Sequence, residues 1–137
     1  MSGLNGSFKS IEIFSTFEEL EMVVDEAEAF FSTCFTDDER VYTGVLLASE
    51  VVTNAIEHGN ALDASKKVTI EFRFNSKVAE CWVEDQGSGF DRSKIADPLD
   101  ADHLLADGGR GVFLIEKLAD DVKYEKEGRR VGFFLNR

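Results

Sequence analysis

The chain has 137 residues, 43% hydrophobic and 31% charged, with a formal net charge of −12. That is the size of about one domain, with enough apolar material for a core. The acidic excess repels a polyanion and so disfavours nonspecific nucleic-acid binding, and no apolar run approaches the roughly 18 residues that suggest a membrane span.

The first residues, MSGLNGSFKS, lack the apolar centre of a secretory signal. Residues 7–14, SFKSIEIF, read as a strand. Thr16 with Glu19 three positions on reads as a capping box. Leu20, Val23, Val24, Ala27, Phe30 and Phe31 follow with helical spacing. TDDER opens a second helix, with Thr36 or Asp37 as cap and acid in the first turn. It runs to about His58, where Gly59 and Asn60 are stop residues.

Val68, Ile70, Phe72 and Phe74 alternate with polar neighbours, the period-two pattern of a strand. NSK at 75–77 turns the chain, and 78–85 returns it as the second strand of a hairpin. Residues 86–111 read as a long glycine-rich loop. VFLIEKLADD reads as a third helix starting just after the glycines, and VKYE with VGFFLN as a closing hairpin. Two cysteines, Cys34 and Cys81, are too few for a disulfide framework and fit a reduced cytosolic setting. The element order predicts an α+β fold over 1–137 as a single domain, a two-layer sandwich with helices on one face of a mostly antiparallel mixed sheet.

Helix two carries a polar stripe. With Glu50 at zero on a helical wheel, Asn54 falls near 40° and His58 near 80°, while Val41, Val45, Ala48, Val52, Ala55 and Ile56 fall at about 140° to 240°. Leu46, Leu47 and Val51 flank the stripe. Such a stripe is either a solvated face or the lining of a site.

Two further segments bear on that choice. Asp85 is in phase with Ala79, Cys81 and Val83, the better core face of its strand, so its carboxylate should point inward. An inward carboxylate is costly without donors. Gly87 and Gly89 follow at once and permit a sharp turn or a close approach. Further on, Gly108, Gly109 and Gly111 lead into a helix N-terminus, where free N–H groups and the helix dipole favour anions, and Arg110 adds charge. Neither a P-loop nor a dinucleotide-binding glycine pattern is present. A plain Gly turn and a plain helix cap are the alternatives for these two segments.

In order and spacing the three segments resemble the GHKL ATPase superfamily, which includes gyrase, MutL and histidine kinases. SEVVTNAIEHG resembles its N box, DQGSG its adenine-binding box and GGRGVFL its phosphate-lid box. The match is similar above all to the small anti-sigma-factor serine kinases of bacteria, and spans roughly residues 40 to 135. The resemblance implies a Bergerat-type ATP-binding fold. It implies that Asn54 holds Mg²⁺ through its amide oxygen and that Glu50 is the general base. Asp85 would accept from the amino group of adenine, beside Gly87 and Gly89. Gly108, Gly109 and Gly111 would close over the phosphates, with Arg110 as a phosphate contact. For His58, a nucleotide contact and a packing or capping role both stay open.

The resemblance further implies a cytoplasmic, homodimeric protein serine/threonine kinase that uses ATP and Mg²⁺. It would sequester a sigma factor and phosphorylate a STAS-type anti-anti-sigma protein, with no direct nucleic-acid or membrane partner. The rival is a noncatalytic nucleotide-binding module that regulates by sequestration alone. Two departures stand out: Arg129 and Arg130 occupy the place where members often carry a hairpin Thr, and Asp107 stands where some relatives carry Arg.

Overall fold

The computed structural model describes residues 7–87 and 109–137, with 7 and 109–113 described by backbone alone. In chain order it contains β1 (Ser7–Phe14), a 3-10 turn (Phe17–Glu19), α1 (Leu20–Cys34), α2 (Asp38–Asn54) and a π-turn (Ala55–Gly59). There follow β2 (Lys67–Phe74), β3 (Val78–Glu84), α3 (Gly109–Leu118), β4 (Asp121–Glu125), a second 3-10 turn (Lys126–Gly128) and β5 (Arg130–Asn136). The sheet has five strands in the order β1-β2-β3-β5-β4. All its pairings are antiparallel, so the expected mixed character is not found among the described strands.

Register places Ile13 opposite Val68, Ile70 opposite Val83 and Cys81 opposite Phe133. Each pair lies on one face, and a slip of one residue would turn the whole apolar set outward. That face meets Val23, Ala27, Phe30 and Phe31 of α1, Leu47, Ala48, Val51 and Val52 of α2, and Ile115 of α3. The aromatic centre is tight: Phe30 lies 5.0 Å from Phe31 and 5.1 Å from Phe72, and Phe31 lies 6.2 Å from Phe133. Gly44 makes the helix crossing possible, because a Cβ there would fall 2.6 Å from the Phe31 ring.

The ends of the elements show which local expectations hold. Asp37, not Thr36, caps α2, its Oδ1 accepting from the Glu39 N–H at 2.9 Å. The capping box at Thr16 does not form. Thr16 makes no side-chain cap bond, and Glu19 reaches back instead to the Phe14 N–H at 2.9 Å. The 3-10 turn takes up Phe17–Glu19, so α1 begins at Leu20, three residues later than a Thr16 cap would start it.

The third helix also differs from expectation, starting inside the glycines at Gly109 and ending at Leu118. Asp120 leaves it because its carboxylate accepts from Arg40 at 2.9 Å and from the Asn136 N–H at 2.7 Å. The Asn136 N–H, then Arg40, hold this carboxyl below its usual range.

The opposite face of the sheet carries its own cluster. Trp82 is only 6% exposed there, under the Arg130 guanidinium at 4.6 Å from its ring. Arg130 in turn pairs with Glu71 at 2.7 Å, Glu125 at 3.2 Å and Glu84 at 3.5 Å.

Candidate functional site

The site is built where α2 ends. Its last turn widens into the π-turn Ala55–Gly59, and the Asn60 N–H closes it on the Ala55 carbonyl at 2.8 Å. Such widened turns often mark functional positions. Glu50 and Asn54 are half-buried and His58 is exposed. None of the three makes a side-chain hydrogen bond within the described residues. The buried face of α2 is broader than the wheel suggested: Leu47 and Val51, which border the stripe, are 0% and 4% exposed. The polar stripe therefore runs along the rim of the core rather than opposite it.

Asp85 follows β3 and is 8% exposed, in line with Ala79, Cys81 and Val83 as its phase predicted. Its N–H donates to the Arg129 carbonyl at 2.8 Å, which fastens it to the β4–β5 turn. Its Oδ1 accepts from the Gly87 N–H at 2.8 Å. Its Oδ2 faces Gly59 and accepts no hydrogen bond within the described residues. Burial raises the carboxyl above its ordinary range, with the Gly87 N–H and the Arg129 charge acting against the rise.

The end of α2 and the end of β3 touch through two glycines. A Cβ on Gly59 would overlap the Asp85 carboxyl, and one on Gly87 would overlap the Gly59 carbonyl. The absent side chain of Gly87 is thus already used by the chain itself. Gly109 and Gly111 lie in the first turn of α3, which packs along α2. Gly89, Gly108 and the Arg110 side chain lie outside the described residues.

Among the described residues no group of three or more His, Cys, Asp or Glu could hold a metal ion. A cation here would need phosphate and water oxygens beside Asn54. That donor set, one neutral amide oxygen with phosphates, suits Mg²⁺.

Residues 13–134 match the family model described as histidine kinase-like ATPase domain. The chain belongs to this family. Relatives of this ATPase domain include three proteins named serine-protein kinase RsbW. One is from Oceanobacillus iheyensis, 35% identical over 85 residues, covering 58% of this chain and 54% of the relative. Another is from Bacillus licheniformis, 34% identical over 101 residues, covering 67% and 63%. A third is from Bacillus subtilis, 31% identical over 86 residues, covering 58% and 54%. The matched part thus spans less than two thirds of each relative.

One residue of the ATPase domain was read from the sequence only as a helix stop. Asn60 is 0% exposed. Its Nδ2 donates to Ser15 Oγ at 2.6 Å and to the Lys67 carbonyl at 3.0 Å, and its Oδ1 accepts from the Gln86 N–H at 2.8 Å. Only the stop signal of Gly59-Asn60 was visible locally, because two of the three side-chain partners, Ser15 and Gln86, are remote in sequence and the third, Lys67, lies across an irregular connection. Among the described residues no helix is long and apolar enough to cross a membrane.

Proposed function

We infer that the chain is an ATP-dependent protein serine/threonine kinase of the anti-sigma type, folded as one domain over 1–137. The observation that carries this is the buried Asp85, one of whose oxygens accepts no hydrogen bond from the described residues, packed against the end of the helix whose Glu50 and Asn54 side chains make none within them. An adenine amino group is a donor of the kind Asp85 Oδ2 lacks among the described residues. Family membership and relatives named as serine-protein kinases support the same reading.

In this reading Asp85 fixes the base, and Gly109 and Gly111 place backbone N–H groups of α3 toward the phosphates. Asn54 offers its amide oxygen to Mg²⁺, which when bound would neutralise phosphate charge. Glu50, one turn before Asn54, takes the proton from the acceptor hydroxyl. The freed oxygen attacks the γ-phosphorus and ADP leaves. The dry flank formed by Leu47 and Val51 keeps this stripe from being fully solvated. The acceptor is a STAS-type anti-anti-sigma protein and the sequestered partner is a sigma factor, held by a cytoplasmic homodimer. These partners come from the resemblance rather than from site chemistry.

Labelled ATP, Mg²⁺ and a STAS-domain substrate test the reading. Wild type should label the substrate, and Glu50→Ala should bind ATP yet transfer about a hundredfold more slowly or worse. Equal labelling by Glu50→Ala would overturn Glu50 as the base. Binding without transfer by wild type would leave sequestration alone.

A further inference from the structure

Asn60 is a buried amide with every polar atom engaged, and its partners come from separate parts of the chain. Nδ2 reaches Ser15 after β1 and Lys67 at the start of β2, while Oδ1 reaches Gln86 beside Asp85. Ser15 is itself tied down, its Oγ donating to the Lys66 carbonyl at 2.9 Å. Gln86 is held twice, since its Oε1 also accepts from the Lys67 N–H at 2.7 Å. A buried amide with all its polar atoms bonded, at the centre of such a network, admits few alternative geometries.

The turn that carries Asp85 is therefore not positioned by β3 alone. Asn60 caps the π-turn that continues α2 from Asn54, and it grips the backbone of the residue after Asp85. Gly59, its neighbour, lies directly against the Asp85 carboxyl. One side chain thus links the helix end beneath the triphosphate to the carboxylate that meets the base.

We propose that Asn60 is the positioning residue for base recognition: it sets the Asp85 carboxylate relative to α2 and so determines the preference for a 6-amino purine. This rests on the nucleotide reading above. Asn60 does not touch the nucleotide. It acts by holding Gln86, and through it Asp85, in one place. A displaced Asp85 would lose its bond to the amino group, while the triphosphate contacts of Asn54 and α3 would remain.

The test compares ATP with inosine triphosphate, which carries a carbonyl in place of the adenine amino group. Both are titrated with Mg²⁺ by calorimetry into wild type, Asn60→Ala and Ser15→Ala. Asn60→Ala should weaken ATP about tenfold, the scale of one buried hydrogen bond, and leave inosine triphosphate unchanged. The selectivity ratio then shrinks by the same factor, which a merely structural loss would not cause. Ser15→Ala, which removes one of the three side-chain bonds, should shift the ratio in the same direction by less. Equal weakening of both nucleotides, or an unchanged ratio in Asn60→Ala, would overturn the proposal. If Asn60→Ala fails to fold, an unchanged ratio in Ser15→Ala does so. Wild type binding neither nucleotide would instead defeat the nucleotide reading, and this proposal with it.

Discussion

Burial raises the Asp85 carboxyl, Glu84 adds to the rise, and the Gly87 N–H, Arg129 and Lys66 oppose it. A carboxyl whose folded value is raised contributes stability that is fully present below its unfolded value and is lost as pH rises through the folded one. Asp85→Asn keeps an acceptor for the Gly87 N–H and removes the buried charge. The nucleotide-free variant should therefore melt no lower than wild type at neutral pH, with the advantage vanishing in acid. Thermal melts across roughly pH 4 to 8 check this. If Asp85 receives the adenine amino group as proposed, the same variant should lose ATP binding about tenfold or more, since an amide offers one acceptor oxygen where the carboxylate offers two. Arg129→Gln removes one of the opposing charges. The acid-side fall of ATP binding should then move to higher pH, and an unmoved limb would show that Arg129 does not act on Asp85.

At the scale of elements, the crossing of α1 over α2 depends on Gly44. Replacing a mid-helix Gly by Ala normally gains up to about 1 kcal/mol in helix propensity. Here the new methyl would meet the Phe31 ring at 2.6 Å. Phe31 is 0% exposed and wedged among Phe30, Phe72 and Phe133, so it has no room to yield. Overpacking of this kind costs about 1–3 kcal/mol, which outweighs the propensity gain. Gly44→Ala should thus lower Tm by several degrees in a melt. A rise in Tm would mean that the helices slide apart freely. Elements were legible where spacing is local. The strand at 7–14, the hairpin turning at Asn75 and the closing hairpin all appear as read. The capping box failed because the Phe14 N–H, freed at the end of an edge strand, competed for Glu19.

For the whole molecule, a net charge of −12 on 137 residues makes self-repulsion a general term. The exposed pairs, such as Lys67–Glu12 at 3.3 Å, contribute little each and are screened alike. Raising NaCl from about 20 mM to about 500 mM shortens the screening length from roughly 20 Å to roughly 4 Å. Tm should rise over that range, and a fall would mean that attractive pairs outweigh the repulsion.

Periodicity alone determined the strands, the existence of the helices and the inward phase of Asp85, because each depends on residues within one or two turns of one another. The same spacing put Glu50, Asn54 and His58 on one stripe. Only the tertiary structure decided the strand order, the contact of Gly59 with Asp85, and the hydrogen bonds of Asn60. Those depend on register and on bonds such as Asn60 to Ser15, which closes 45 residues of chain. A buried amide has no periodic signature, and its partners become neighbours only when the sheet has formed.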